Sequence, residues 1–284
     1  MFVSGSGLLA ACYTPRYVYS PAAHNVPLFT KKADSKLGIN YSSNFASKAP
    51  YDKPAFKVRS NGMDIQGAYA FSKKFAIQAA WFTRTEKNEG NYSTTFDSAI
   101  IRYHRRLGEV GLGYYTLLNR ESSLIFQCFA GVGIGRFRFT DNGKDAGQAT
   151  YNRFHGSRVV KLYVQPAFQY KNKKQAAASL SSRFSIISFN NIETNYTQQE
   201  QENFELDRIS SSPAVFWEPA FINSFGFKKL PGFFVEYQAG LSLLMSRRFV
   251  DARSFNFSVG VFADLPKLLK KKAADSKKGS AFNQ

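Results

Sequence analysis

The stretch Phe75-Ala76-Ile77-Gln78-Ala79-Ala80-Trp81-Phe82-Thr83-Arg84 decides the fold. Taken at every second residue, Phe75, Ile77, Ala79 and Trp81 make an apolar face, while Gln78 and Arg84 mark the opposite one. Successive side chains of an extended chain point to opposite sides, so this spacing describes a strand that is greasy on one face and wet on the other. The pattern returns in segment after segment, as far as Phe255, Phe257, Val259 and Val261 with Asn256, Ser258 and Gly260 between them.

Strands of this kind, repeated along one chain, predict an all-β protein: a closed antiparallel up-and-down transmembrane β-barrel. Hydrocarbon cannot satisfy an unpaired backbone amide, so strands cross a membrane only in a closed cylinder, with about ten residues per crossing. No run of about eighteen apolar residues occurs, which excludes a helical crossing. Aromatic residues make up 16% of the 284, with 28 Phe and 15 Tyr, a richness that suits aromatic girdles at two interfaces.

Turn signals of Gly, Pro, Asn and Lys place strands near 36–45, 62–71, 75–84, 108–118, 123–139, 158–170, 175–189, 213–226, 233–244 and 254–264. This gives about ten crossings, with eight or twelve as the alternatives. The segment 95–106 also alternates and is read as a strand extension or a hairpin above the membrane. Connections alternate between short and long, as expected of periplasmic turns and outer loops. That rhythm puts the protein in a bacterial outer membrane with both termini periplasmic. Residues 36–264 form the barrel, residues 1–35 a signal remnant and extended periplasmic tether marked by Pro15, Pro21 and Pro27, and residues 265–284 a basic periplasmic tail.

Two motifs, Gly108-Glu109-Val110-Gly111-Leu112-Gly113-Tyr114-Tyr115 and Gly131-Val132-Gly133-Ile134-Gly135, are similar to those of small Gram-negative outer-membrane β-barrels. The stretch Leu8-Leu9-Ala10-Ala11-Cys12 resembles a bacterial lipobox, which implies lipidation of Cys12; an unmodified N-terminus is the alternative. Lipoproteins of the Bacteroidota are the comparison for such an N-terminus. No acidic cluster follows Cys12, which in that group implies an anchor in the inner leaflet of the outer membrane. Cys128 falls among the lipid-facing Leu124, Phe126, Ala130 and Val132 and reads as a small apolar side chain.

The wet face carries both signs of charge. In a barrel of this size such groups have to pair, since an isolated buried ion is costly. The reading pairs Arg84, Lys161 and Arg183 with carboxylates drawn from Asp64, Glu109, Glu218 and Glu236, closing the lumen.

The chain carries 38 Lys and Arg against 20 Asp and Glu, a net charge of +18. The lysines gather at short turns and in the tail, and no basic helix or aromatic-basic binding motif accompanies them, so nucleic acid is not the expected partner. Lys57, Arg59, Arg102, Arg105 and Arg106 are candidates for contact with lipopolysaccharide phosphates. The acidic segment 193–207 reads as a mobile loop.

His24 falls in the tether, while His104 and His155 fall in outer segments with spacing that singles out no catalytic set. No cofactor, metal or nucleotide motif is present, and no catalytic residue is expected. The functional reading is therefore a non-enzymatic, structural or accessory subunit of a larger envelope complex. It would be surrounded by outer-membrane lipids, with lipopolysaccharide and other outer-membrane or periplasmic proteins as the expected partners. A narrow channel for small polar solutes and a hydrolase at the rim are the alternatives.

Overall fold

The computed structural model describes residues 18–45, 57–91, 98–144, 149–172, 176–246, 249–266 and 268. Ten strands form its wall: β1 Ser35–Phe45, β2 Lys57–Tyr69, β3 Phe75–Asn91, β4 Ser98–Leu117, β5 Leu124–Lys144, β6 Thr150–Lys171, β7 Ala176–Thr194, β8 Ala214–Gly226, β9 Phe233–Leu241 and β10 Phe255–Ala263. Each strand pairs antiparallel with the next. The sheet closes where β10 meets β1, from Phe255 opposite Phe45 to Ala263 opposite Leu37. A two-residue piece, Leu243–Leu244, continues past the end of β9 and pairs with β8.

Turn chemistry fixes the short-turn end. Ser72 Oγ accepts from the Lys74 and Phe75 amides at 3.1 and 2.8 Å, and Asn119 Oδ1 accepts from the Ser123 and Leu124 amides at 3.0 Å each. These local bonds release the chain from one strand and start the next. Near this end the outer face carries paired rings, Phe75 with Tyr114, Phe126 with Phe168 and Phe225 with Tyr237. Higher up, Trp217 donates its indole N–H to Ser182 Oγ at 2.8 Å, so that an outward tryptophan leaves no donor unmet.

Strands β3 to β7 run to 17, 20, 21, 22 and 19 residues, about twice what one crossing needs. The extra length lies at the long-loop end, where the sequence reading had ended several strands too early. Alternation does not stop there; its sense reverses. On β4 the outward side chains Val110 and Leu112 give way to Arg106, His104 and Arg102, while the inward ones become Leu107, Tyr103 and Ile101. On β5 apolar residues move from the outward Val132 and Ile134 to the inward Phe137 and Phe139. A wall that has left hydrocarbon must hide its apolar side chains inside, as a soluble sandwich does.

Those inward side chains join Phe82, Val159, Ile187 and Phe189 in a hydrophobic core within the long-loop half. The long connection after β7 seals it. Far from being a loose acidic loop, it buries Tyr196, Leu206 and Ile209 in that core. The helix α1 Gln198–Asn203 is held by a capping box in which Thr197 and Glu200 satisfy each other's backbone amides. Burial alone would raise the Glu200 carboxyl, but the Thr197 amide, Arg153 and the Thr197 hydroxyl together hold it below the usual range. His155, read as a loop histidine, is buried and stacked on Phe139 at 5.4 Å.

Two glycines make room for one tyrosine. A Cβ at Gly111 or Gly131 would come within 2.5 and 2.6 Å of the Tyr163 hydroxyl, which lies across β4 and β5 and accepts from Gln78 Nε2 at 3.0 Å. Replacing Gly131 by Val should lower barrel stability by about 1–3 kcal/mol through overpacking. Gly67→Ala, whose new methyl meets nothing nearer than 3.8 Å, should stay close to wild type. Urea unfolding in detergent micelles measures both.

Candidate functional site

The candidate site is the lumen, and it is filled by the protein's own chain. The described part of the expected periplasmic tether, from Val18 to Phe29, runs inside the barrel and is buried over almost all of its length. Val18 sits in the long-loop half, where Val18–Tyr19 pairs in parallel with Asp251–Ala252. The chain then descends to the short-turn end and reverses. There Asp34 Oδ2 accepts from the Thr30 and Lys31 amides at 2.8 and 3.1 Å before β1 begins. The first described residue and the end of β10 therefore lie toward opposite ends of the barrel. Cys12 lies outside the described residues, as does nearly all of the basic tail.

Past Tyr19 the segment has no strand to pair with inside the closed wall, so its backbone groups must be met by wall side chains. Three glutamines do much of this. Gln66 Nε2 donates to the Ala23 carbonyl and Gln165 Nε2 to the Asn25 carbonyl, each at 2.9 Å. Gln238 holds His24 from both sides, accepting from its amide at 2.8 Å and donating to its carbonyl at 3.1 Å. Arg105 donates to the Val18 carbonyl at 2.8 Å. A primary amide both donates and accepts without carrying charge, which suits it to backbone partners.

Side chains of the segment complete the fill. Phe29 packs with Ala68, Ala70, Ala76, Tyr115 and Phe129 at the short-turn end, and Val26 packs with Ala167, Ala220 and Ile222. His24, set aside from sequence as part of a tether, has its Nδ1 2.9 Å from Ser181 Oγ.

Charged wall residues surround this segment in three groups. Arg84 reaches Asp64 at 2.8 Å and also donates to Asn44 Oδ1 at 3.0 Å. Lys161 lies 2.9 Å from Glu109 and 3.8 Å from Glu218, while Arg183 is 3.8 Å from Glu109. Tyr19 ties the segment to this second group by donating to Glu218 at 2.8 Å. Glu236 meets Lys36 at 3.0 Å rather than any of the three cations named from sequence.

A further group in the long-loop half went unread: Glu86 with Arg105 at 3.0 Å, and with Arg253. Arg105 is thus corrected from a lipopolysaccharide candidate to a buried lumen residue, 1% exposed. Its place between outward His104 and Arg106 follows from strand alternation, which was legible in the sequence. Arg102 and Arg106 stand on the outer face, and the side chains of Lys57 and Arg59 lie outside the described residues. Among the described residues no three His, Cys, Asp or Glu side chains converge as a metal site.

The fold is that of a bacterial outer-membrane β-barrel. Solved structures with this architecture include the translocator domain of the autotransporter NalP from Neisseria meningitidis, 8% identical over 81% of this chain and 88% of that one, with a TM-score of 0.49. The outer membrane protease OmpT from Escherichia coli matches at 10% identity over 82% of this chain and 95% of that one, TM-score 0.41. The outer membrane protein OprG from Pseudomonas aeruginosa matches at 10% identity over 84% and 98%, TM-score 0.36. No protein-family model matches the chain, and no curated protein matches it.

The expectation that the chain is not an enzyme is corrected by these comparisons. A protease stands among the barrels matched, so this architecture gives no ground for a non-enzymatic reading. At such low identity it also transfers no catalytic residue to this chain.

Breaking one lumen pair should be costlier than removing it whole. Arg84→Ala should destabilise the barrel by about 3–5 kcal/mol, because Asp64 is left buried and uncompensated. Arg84→Met combined with Asp64→Leu should regain most of that loss, as measured by urea unfolding in micelles.

Proposed function

We propose that this protein is a closed outer-membrane barrel serving as a structural or accessory subunit of a larger envelope assembly. The observation that carries the reading is the interior segment: residues 18–29 occupy the lumen and are bonded to β2, β3, β4, β6, β7, β8 and β9. Contacts on nearly every side favour a fixed filling over a solute path. The short turns are assigned to the periplasm and the long-loop half, with its own hydrophobic core, to the outside. In that orientation the long-loop half is the part offered to partners.

Lipidation of Cys12 is retained as part of the proposal, with a changed location. Five residues separate Cys12 from Val18, a reach of about 20 Å when fully extended. An acyl group there belongs to the long-loop side, rather than to the inner leaflet expected from the tether reading.

Planar-bilayer recording tests the filled lumen. Wild type should give no steady conductance of nanosiemens size, whereas Gln66→Ala, Gln165→Ala and Gln238→Ala combined should give openings as the segment loosens. Steady nanosiemens conductance from wild type overturns the closed-barrel reading. Native purification in mild detergent tests the accessory role, which requires co-purifying envelope proteins and fails if the barrel is recovered as a clean monomer.

A further inference from the structure

On the outer wall, where alternation reverses its sense, basic side chains stand in register across neighbouring strands. Arg106 of β4 is directly opposite Arg136 of β5, and Arg136 is directly opposite Arg158 of β6. The next row brings His104 opposite Arg138, and beyond it Lys87 of β3 is opposite Arg102. All of these side chains are exposed. Like charges placed directly opposite on one face of a sheet repel and destabilise the pairing. Within this belt Glu193 lies 3.7 Å from Arg136, with both side chains well over half exposed. An ion pair so open to solvent offsets little of the repulsion.

The height of the belt is set by the wall below it. On β6 the outward residues Val160, Leu162, Val164, Pro166, Phe168 and Tyr170 lie below Arg158, toward the short-turn end. That run of about ten residues is one hydrocarbon crossing, so the arginine row stands where acyl chains end and headgroups begin. Strands are about 4.8 Å apart, so the row spreads three guanidinium-bearing side chains over about 10 Å. Guanidinium forks bind phosphate oxygens through paired hydrogen bonds, and a row of them suits a headgroup carrying more than one phosphate.

We propose that Arg106, Arg136 and Arg158 form a binding site for the phosphates of lipopolysaccharide, with His104, Arg138, Lys87 and Arg102 extending it upward. The proposal rests on the orientation given above, in which the long-loop end faces outward. It replaces the scattered set read from sequence with one continuous face, adjoining the lipid-contacting wall.

Thermal unfolding in zwitterionic micelles, with added lipid, tests the site. Lipopolysaccharide should raise the wild-type Tm by several degrees, the same material stripped of its phosphates should not, and phosphatidylglycerol should have a much smaller effect. Arg106→Ser, Arg136→Ser and Arg158→Ser combined should abolish most of the rise while leaving the Tm without lipid at or slightly above that of wild type, since the repulsion is gone. An undiminished response in the triple variant overturns the site, as does an equal response to phosphatidylglycerol.

Orientation is read separately, by labelling Ser210→Cys with an impermeant maleimide on intact cells in a Cys128→Ala background, counted as the labelling in excess of that background alone, which reports any reaction at Cys12. Ser210 is an exposed residue of the connection after β7. Labelling without a lipopolysaccharide-specific Tm rise overturns the site alone. A rise without labelling overturns the orientation, and with it the assignment to lipopolysaccharide.

Discussion

A backbone amide in hydrocarbon has no water to turn to, and this constraint governs both the wall and its contents. The wall meets it by closure, since β10 returns to β1 and leaves no open edge. The interior segment lies within that closed wall and, past the short pairing of Val18–Tyr19, has no such ladder, so inward side chains take over the work of a neighbouring strand. Gln238 does so almost literally, accepting and donating at His24 as a paired strand would. The ion pairs around it follow from the same scarcity of solvent, because a lone charge beside a packed segment would remain uncompensated.

Two different interiors result from one cylinder. Within the apolar band the outside is greasy and the inside holds charge; above it the outside is charged and the inside holds Phe137, Phe139 and Phe189 beside the Glu86, Arg105 and Arg253 group. The same strands serve both regimes by carrying their apolar residues first at one parity and then at the other. The membrane boundary is thus written into the wall as a change of phase.

Much of this was legible in the sequence. Strand number, closure and the inward position of Asp64, Arg84, Glu109, Lys161, Arg183, Glu218 and Glu236 all follow from alternation with period two. The ends of β3, β6 and β7 were misplaced because alternation with apolar residues facing outward was taken as the mark of a strand, whereas the extension of β4 was legible in the alternation of 95–106. Arg105 was misplaced for a related reason, having been grouped with its basic neighbours instead of being assigned to a face. The interior segment was harder to read. Pro21, Pro27 and the run Ala22-Ala23 give no periodicity, and a chain with few side-chain demands looks alike whether solvent or a barrel surrounds it. The clue lay in its partners, since inward Gln66, Gln165 and Gln238 are neutral where charge alone would have sufficed to wet a pore.

The position of the interior segment also bears on biogenesis. His24 and Gln238 are 214 residues apart, and the seam between β10 and β1 joins the two ends of the wall. Once that seam is zipped, inserting the segment would mean threading it along the length of an already crowded bore. Assembly is simpler if the nascent wall curls around the segment as around a mandrel, so that a stretch preceding every wall strand in the chain becomes the form on which the last strands are laid.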